Sequence, residues 1–469
     1  MAKYVDVSRK KIHKKYENYD FSSKIKEEIE RKELKTEIKD GMQTFLYQNN
    51  TLCAGTGQAA FLSVSVWLSE DEKYSEDLIL VFKEFIKQRL KGIPNEKGIA
   101  ENPNFPKILY FLDEDTMRGG KYYSITKLCA ECSAKRLVPD YLSVKVHKEL
   151  KGVPTPPMGC RSLLHTYINP KTGQPELWGR WNLGVQSLNL PFIAMENNPN
   201  REEKILFKNL DYYLDIAHRD MLWRANHIAK IKAGQSPLLW VYGGLTKLEP
   251  NETLEKEVYS GRPSISLGYA GLYECVKYIT GENQFENKGK ILAHRILDYL
   301  NKSNEEFKKN TGLAAGLYGT PMETLTDKFA KACIDNFGHV GDETKRNYIT
   351  NSYHHFVKDK VDAFTKLTDE AQFSNKTLSG SISYVEVPNM SNNIDAMLEL
   401  IEHIGNECLY AEINSEISIC GECGFEGYDF QKVFAPDGTI RWKCPCCGET
   451  DPEKVHTSYR ICGLTNSSH

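Results

Sequence analysis

The sequence predicts an α/β fold, and the prediction depends on two observations. Short runs rich in β-branched and aromatic residues alternate with long segments in which apolar residues recur at helical spacing. Strands buried between helices produce this alternation. The predicted strands are 61–68, 107–113, 238–244 and 382–388, and the predicted helices are 23–47, 75–91, 209–233 and 287–311.

The individual elements follow from their local patterns. The helix at 23–47 is charged, with apolar residues near helical spacing at Ile25, Ile29, Leu34, Ile38 and Met42. The basic run SRKKIHKKY before it is interpreted as a solvated helix face. The four predicted strands are short and apolar or aromatic, reading FLSVSVWL, KILYFLD, LLWVYGG and ISYVEVP.

The composition excludes several classes of protein. The chain has 469 residues, 60 Lys and Arg against 63 Asp and Glu, and 40% apolar content, which argues against disorder. The net charge of −3 provides no overall basic field, so a protein that coats nucleic acid is disfavoured. There is no apolar run of membrane-helix length and no secretory signal, so we expect a soluble, cytoplasmic protein.

The 13 cysteines of a cytosolic chain are expected to be metal ligands, catalytic thiols or buried residues rather than disulfides. The strongest pattern is Cys420-x-x-Cys423, followed after twenty residues by Cys444-x-x-Cys447. Four thiolates at this spacing predict a closed, tetrahedral zinc site. Each pair is followed by a glycine, whose tight turn can aim backbone N–H groups at the thiolates. Cys446 is interpreted as a non-ligand.

The segment around the cysteines has the pattern of a zinc ribbon, which either reads nucleic acid or acts as a structural clip. Its many acidic residues disfavour a phosphate-binding face. They are Glu422, Glu426, Asp429, Asp437, Glu449, Asp451 and Glu453.

Cys160 lies in VPTPPMGCRSLL, between a Pro-rich turn and an apolar run. The pattern predicts a loop tip held by rigid backbone, with Gly159 allowing close approach to another backbone. By itself, a lone cysteine is more often a buried apolar residue than a catalytic thiol. In the strand-like run at 179–191, Asn182 and Asn189 either specify the core or face a substrate, because buried amides need partners.

The hexapeptide SYRICG ends at Gly463, sixteen residues after Cys447. Its Arg, aliphatic, small residue and Gly match the first half of a glycyl-radical signature. Glycine suits a stored radical because its Cα carries no side chain and can become planar. A turn glycine is the simpler interpretation of the hexapeptide alone, but its place after a four-cysteine ribbon favours the radical.

Taken together, these residues resemble the class III, anaerobic ribonucleoside-triphosphate reductases, a glycyl-radical family. The resemblance covers nearly the whole chain, in several independent blocks that occur in the family's order. The blocks are GMQTFLYQNNTLCAGTGQAAF, CAECSAKRLVPDYLS, MGCRS, GRWNLGVQSLNLP, SISLGYAGLYE, YGTPMETLTDKF, YITNSYHH, the zinc ribbon and RICG.

The resemblance implies a ten-stranded α/β barrel of the glycyl-radical type with a C-terminal zinc ribbon, and the anaerobic reduction of ribonucleoside triphosphates to deoxyribonucleoside triphosphates. Gly463 would hold the stored radical, and Cys160 would become the thiyl radical that removes the 3′-hydrogen of the ribose. Ser162 and Asn182 match positions that face the sugar, and Met158 matches a residue associated with formate as reductant. The zinc bound by the four ribbon cysteines would support the radical loop.

The resemblance also predicts how the chain is divided. We expect a partial barrel at 1–416, the ribbon at 417–457 and a truncated radical loop at 458–469. Leu464 stands where the family has Tyr, and the family's N-terminal ATP-sensing region and second active-site cysteine have no counterpart, so Cys53 is interpreted as structural. We therefore expect one piece of a split or interrupted gene, as in phage genomes, that works with a complementary fragment.

The partners implied by the resemblance are a radical-SAM activating enzyme, a second copy of the chain in a homodimer, and formate or a thiol system as reductant. Two alternatives stay open: an inactive zinc-binding remnant of such a reductase, and a module whose ribbon reads nucleic acid, which the acidic ribbon disfavours. Four residues that could be taken for metal ligands are interpreted as structural. His354 and His355 are interpreted as structural or surface residues, and Cys129 and Cys132 as core residues of a helix.

Overall fold

The computed structural model describes residues 2–52, 61–69, 73–322, 324–341, 344–415, 417–427, 429–435, 438–461 and 464–468. The chain divides into two compact units. The first unit comprises Met1–Lys145, Tyr384–Asn406 and Ala411–His469, and the second comprises Val146–Ser383 and Glu407–Tyr410.

Fourteen α-helices lie in the described part of the chain. They are α1 Ala2–Tyr16, α2 Ser23–Thr51, α3 Ser75–Lys91, α4 Tyr123–Arg136, α5 Val144–Lys151, α6 Leu190–Met195, α7 Glu203–Ala229, α8 Pro237–Trp240, α9 Glu255–Val258, α10 Leu272–Thr280, α11 Asn287–Thr311, α12 Leu325–Phe337, α13 Ala363–Ser374 and α14 Ile394–Glu407. None of these helices is both long enough and apolar enough to cross a membrane.

Eighteen strands accompany the helices within the same residues. They are β1 Ser63–Val66, β2 Ile93–Pro94, β3 Ala100–Glu101, β4 Lys107–Leu112, β5 Asp140–Ser143, β6 Tyr167–Ile168, β7 Pro175–Glu176, β8 Trp181–Asn189, β9 Pro263–Ala270, β10 Ala314–Gly319, β11 Ser383–Glu386, β12 Tyr410–Asn414, β13 Ile417–Cys420, β14 Glu426–Gly427, β15 Gln431–Phe434, β16 Ile440–Lys443, β17 Val455–Ile461 and β18 Leu464–Ser468.

The first unit contains most of a five-stranded sheet in the order β1-β4-β5-β12-β11. Strands β1, β4 and β5 are parallel, and all six residues of β4 are buried. A parallel strand covered on both faces has to be apolar along nearly its whole length, which is the pattern of KILYFL. The one charged residue, Lys107, is buried in an ion pair with Asp140 at 3.2 Å.

The second unit is built on a three-stranded parallel sheet in the order β10-β9-β8. The central strand, β9, is buried at all eight positions, and helices α6, α7, α10 and α11 supply much of the surrounding core. Strand β8 has a bulge between Asn182 and Gly184. The carboxyl ends of parallel strands usually carry ligand sites, so this sheet can present polar groups from three strands together.

The C-terminal part of the first unit is antiparallel. Strand β13 pairs with β14 and with β17, and β17 pairs in turn with β18. Strands β15 and β16 form a separate hairpin between the two cysteine pairs.

Most of the predicted elements are confirmed. The helices expected at 75–91 and 287–311 coincide with α3 and α11, and the strands expected at 107–113 and 382–388 contain β4 and β11. The helix expected at 209–233 is α7, which begins six residues earlier and ends four residues earlier.

The strand predicted at 238–244 is wrong. This segment forms the end of helix α8 and a turn, with Leu238 76% exposed while Trp240 is buried. Pro237 occupies the first helical turn, where its fixed φ suits a helix. The N–H groups of Val241 and Tyr242 both donate to the Pro237 carbonyl, so the backbone is satisfied locally rather than by a neighbouring strand.

Two glycines are expected to respond oppositely to alanine. A β-carbon at Gly268 would overlap Thr320 Oγ1 and lie 2.6 Å from Ser187 Oγ, whereas one at Gly41 in α2 would meet nothing within 4 Å. Gly268→Ala should therefore lower the free energy of unfolding by about 1–3 kcal/mol through overpacking. Gly41→Ala should raise it by about 0.5–1 kcal/mol, because alanine is the better helix former. Urea unfolding of both variants beside the wild type tests the pair, and a stabilising Gly268→Ala would contradict the packing.

Candidate active site

Cys160 lies at the tip of a short hairpin. The backbones of Met158 and Ser162 exchange two hydrogen bonds, with N···O distances of 2.7 and 3.2 Å, and so close a loop of three residues. The Cys160 side chain is neither fully buried nor fully exposed. The predicted loop tip is therefore present, with Cys160 at its centre.

Gly159 has a different role from the one predicted. A β-carbon there would meet nothing within 4 Å, so the glycine does not serve close approach to another backbone. Its φ of +62° lies in the left-handed region, where glycine is favoured. The turn itself requires the glycine.

Three residues far away in sequence contact the hairpin, namely Gly319, Gly380 and Tyr410. The fully buried Arg161 donates from Nη1 to the Gly319 carbonyl at 3.3 Å, at the end of β10. The Tyr410 hydroxyl donates to the Cys160 carbonyl at 3.3 Å. Gly380 packs so closely that a β-carbon would overlap the Arg161 carbonyl. These contacts fix the backbone that carries the thiol.

The other predicted residues of the hairpin differ in exposure. Met158 is 40% exposed. Ser162 is buried, and its Oγ has no hydrogen-bond partner among the described residues. A buried hydroxyl without a partner is costly, so this oxygen is available to a ligand group.

Asn182 lies at the bulge of β8. Its Oδ1 accepts a hydrogen bond from Gly184 N at 2.8 Å, which shapes the bulge. Asn182 is paired across the sheet with Ser264, whose Oγ accepts from His165 N at 2.7 Å. The segment that follows the Cys160 hairpin is thus hydrogen-bonded through His165 N to Ser264, the strand partner of Asn182.

Asn189, for which the sequence left two roles open, specifies the core. Its Oδ1 accepts from Phe192 N at the start of α6, and its Nδ2 donates to the Phe329 carbonyl at 3.1 Å. Both ends of the carboxamide are therefore used by the protein itself.

A buried histidine supports the segment that carries Tyr410. His147 Nδ1 accepts from Thr155 N at 3.1 Å, and Nε2 lies 3.1 Å from the Leu409 carbonyl. Because an acceptor nitrogen carries no proton, the ring is neutral, with its proton on Nε2. Burial, followed by the charge of Lys151, lowers the pKa of His147 to about 3.

The four ribbon cysteines come together as predicted. Their Sγ atoms all lie within 4.8 Å of one another, with Cys420–Cys447 at 3.6 Å and Cys423–Cys444 at 3.7 Å. A zinc–sulfur distance of about 2.3 Å in a tetrahedron requires sulfur–sulfur distances of about 3.8 Å. The donor set and its spacing therefore fit zinc, and Cys446 is exposed outside the cluster.

Acidic residues of the ribbon attach it to the rest of the first unit. Glu426 accepts from Arg136 Nη1 at 2.7 Å, and Glu422 is ion-paired with Lys97. Asn95 Nδ2 also donates to the carbonyl of the glycine after Cys420, at 3.2 Å. At least two of the acidic residues noted in the sequence thus serve intramolecular docking.

Two predicted residues cannot be placed. Gly463 falls between β17 and β18 in the chain and lies outside the described residues, as does Cys53. Strand β17 pairs with β13, which ends at Cys420, so the strand leading to Gly463 begins beside the thiolate cluster.

The four residues given structural explanations are confirmed as such. Cys129 and Cys132 are fully buried in α4. His354 Nδ1 contacts Glu370 at 3.0 Å, and His355 Nε2 contacts Asp369 at 3.2 Å. The two imidazoles thus have different carboxylate partners.

Comparison with known proteins decides the family. The family model described as anaerobic ribonucleoside-triphosphate reductase matches residues 1–469. The chain belongs to this family. It is 32% identical over 434 residues to the anaerobic ribonucleoside-triphosphate reductase of Enterobacteria phage T4, and 32% identical over 438 residues to that of Escherichia coli K12.

The chain aligns over only part of these relatives. The alignments cover 91% and 92% of this chain, but 68% of the phage T4 reductase and 59% of the Escherichia coli reductase. A solved structure of the anaerobic ribonucleotide reductase from Thermotoga maritima, with glycerol in its active site, is similar with a TM-score of 0.65 at 15% identity. That similarity covers 93% of this chain and 68% of the other, and supports an α/β fold of the same kind.

Sequence patterns missed the residues that anchor this reductase-family hairpin. Gly319, Gly380 and Tyr410 lie in segments far from the hairpin, and nothing in their local patterns connects them with Cys160. The role of His147 could not be predicted either, because the sequence around a single histidine in a helix does not show whether its imidazole is neutral.

The neutral state of His147 predicts a pH-dependent stability. Its pKa is about 3 in the folded protein against an ordinary 6.5, so the unfolded chain binds more protons between these values. The free energy of unfolding should fall as the pH falls through this window, with His147 contributing up to about 1.4 kcal/mol per pH unit. Urea titrations of the wild type and His147→Gln test this, because the variant should show the shallower slope. Equal slopes would contradict a buried neutral imidazole.

The thiolate cluster predicts which cysteines are needed for zinc. Cys423→Ser should lose zinc or bind it much more weakly, because one of four ligands is gone. Cys446→Ser is the matched control, and it should keep one zinc per chain by elemental analysis. Loss of metal from the control, or full retention in Cys423→Ser, would assign the ligands differently.

Proposed function

We propose that this chain performs the anaerobic reduction of ribonucleoside triphosphates to deoxyribonucleoside triphosphates. The observation that carries the proposal is the anchored hairpin with Cys160 at its apex, in a chain of the anaerobic reductase family. The activity is a proposal because the chain spans 59–68% of the relatives named above.

Cys160 would act through its sulfur, which exchanges a hydrogen atom with C3′ of the ribose. The S–H bond forms as the C3′–H bond breaks, so the position of the sulfur has to be set to within a fraction of an ångström. Tyr410 and Arg161 would set that position through the hairpin backbone.

Ser162 and Asn182 would bind the hydroxyls of the sugar. The unpartnered, buried Oγ of Ser162 supports this role for the serine. Asn182 would use its Nδ2 group, since its Oδ1 is held by Gly184 N. Met158, exposed beside the thiol, would lie where the reductant, formate or a thiol system, approaches.

Gly463 would carry the organic radical, installed by a radical-SAM activating enzyme. The radical would convert Cys160 to a thiyl radical by taking the hydrogen of its S–H bond, and the two reducing equivalents of the reaction would come from formate or a thiol. The four ribbon cysteines would hold a structural zinc ion and so fix the end of β13, which pairs with β17, the strand that precedes Gly463 in the chain. The metal would have no open coordination position and no part in the chemistry.

The finer architecture and the partners belong to the same proposal. We infer a ten-stranded barrel, with the chain divided at 416 and 457 as predicted, and a homodimer located in the cytoplasm. One structure of the Thermotoga maritima enzyme was determined in complex with dATP and CTP, which supports nucleotide binding here.

The proposal predicts separable losses at two positions. After anaerobic incubation with the activating enzyme, reductant and substrate, Cys160→Ser should form no deoxynucleotide but should keep the glycyl-radical signal in electron paramagnetic resonance. Gly463→Ala should lose both. Chromatography of the nucleotides measures the product.

Cys446→Ser serves as the control and should retain both signals. Product formation by Cys160→Ser at the wild-type rate would overturn the role of this thiol. A wild-type protein that forms neither radical nor product with the complete set of components would instead identify an inactive remnant.

A further inference from the structure

The hairpin of strands β2 and β3 contacts the zinc ribbon, although the two are far apart in the sequence. Asn95 in the hairpin and Gly421 in the ribbon are separated by 326 positions, and both belong to the first unit. The proposed chemistry gives this hairpin no role. We call residues 93–101 the ribbon seat.

One carboxamide both shapes the ribbon seat and contacts the ribbon. Asn95 Oδ1 accepts from Lys97 N and Ile99 N, each at 3.0 Å, and so closes the turn of the hairpin. Its Nδ2 donates to Glu101 Oε1 at 3.0 Å and to the Gly421 carbonyl at 3.2 Å. A carboxamide has two donor hydrogens and two acceptor lone pairs, so Asn95 makes all four of its hydrogen bonds.

The carbonyl that Asn95 contacts belongs to a peptide that also faces a cysteine of the cluster. The C=O of Gly421 and the N–H of Glu422 form this peptide, and the N–H donates to Cys420 Sγ. One side of the peptide is therefore held by the seat, while the other side points at a predicted zinc ligand. Hydrogen bonds in such a chain polarise one another, so a bond to the carbonyl strengthens the N–H as a donor. Asn95 thus acts on the sulfur through a single peptide.

Two further contacts join the first cysteine pair to the seat. Glu422 is ion-paired with Lys97, whose side chain is 50% exposed. A β-carbon on Gly424 would lie 3.8 Å from Ile99, which is ordinary van der Waals contact. Exposed ion pairs contribute little in water, because solvent screens them. Of the polar contacts, the hydrogen bond from Asn95 is therefore the one expected to matter most.

We propose that Asn95 is a positioning residue for the metal site, and that zinc binding by the ribbon is coupled to docking of the ribbon on the seat. Groups that orient the ligands of a metal from outside change its affinity by about 10–100-fold when they are removed. The coupling is reciprocal, so a seat that strengthens zinc binding is itself stabilised by zinc. The inference rests on the zinc site of the proposed function, but not on the reduction.

The variant Asn95→Asp isolates the donated hydrogen bond. A carboxylate still accepts from Lys97 N and Ile99 N, but it cannot donate to the Gly421 carbonyl. Competition of the full chain with a chromogenic chelator should give a zinc dissociation constant about tenfold or more higher in this variant. Asn104→Asp adds the same charge at an exposed position and should leave the constant unchanged. Lys97→Gln should raise it by no more than about threefold.

Two measurements separate the hydrogen bond from other effects of the substitution. The competition is repeated in salt of about 1 M, which screens the added charge but cannot restore the missing donor. Hydrogen exchange of the seat, which contains the bond from Asn95 N to the Ile99 carbonyl, is followed with zinc and after its removal. Exchange should be faster without zinc in the wild type and in Asn104→Asp, and should depend much less on zinc in Asn95→Asp.

Equal zinc affinity in Asn95→Asp and Asn104→Asp would overturn the inference. So would a loss that disappears in high salt, or exchange of the wild-type seat that does not respond to zinc. A wild-type chain that binds no zinc would overturn the zinc site of the proposed function together with the inference. Failure of the reduction alone affects none of these results, since no turnover is measured.

Discussion

The geometry around Cys160 depends on one buried contact, the guanidinium of Arg161 against the carbonyl of Gly319. Arginine is rarely buried completely, because desolvating its charge is expensive unless hydrogen bonds compensate. Here the side chain reaches from the hairpin to the end of β10. The hydrogen bond therefore fixes the hairpin relative to the parallel sheet of the second unit. Gly380, which has no side chain, lets its backbone pack against the Arg161 carbonyl, and the Tyr410 hydroxyl donates to the Cys160 carbonyl. Both contacts restrict the movement of the loop further.

Local patterns predicted the elements that carry strong local signals. Helices α3 and α11 have apolar residues at regular spacing, and each ends at a glycine with positive φ, Gly92 and Gly312. The strand prediction at 238–244 was wrong because this segment is an apolar run whose burial depends on tertiary structure. Leu238 points to solvent although its neighbours in sequence are equally apolar, and no single-sequence pattern contains that information.

In the candidate site, too, the features with a local sequence signal were predicted and those that depend on distant residues were not. The thiolate cluster could be predicted because all four ligands lie within 28 residues of one another, at the spacing of a known chemistry. The thiol hairpin was predicted as a loop, but for the wrong reason at Gly159. Its anchors were not predicted at all, since Gly319, Gly380 and Tyr410 lie in segments separated from Cys160 by more than 150 residues. The role proposed for Cys160 comes from family resemblance, and that proposed for Gly463 also from the SYRICG pattern and its position after the ribbon.

The contact between Tyr410 and Cys160 joins residues 250 positions apart, and this separation has a consequence for synthesis on the ribosome. The nascent chain emerges from its N-terminal end, so the thiol segment is made long before the tyrosine that orients it. Contacts of such high sequence separation form late in folding, because their loop-closure entropy must be overcome first. The contact between Tyr410 and Cys160 therefore cannot form until translation has passed the start of strand β12.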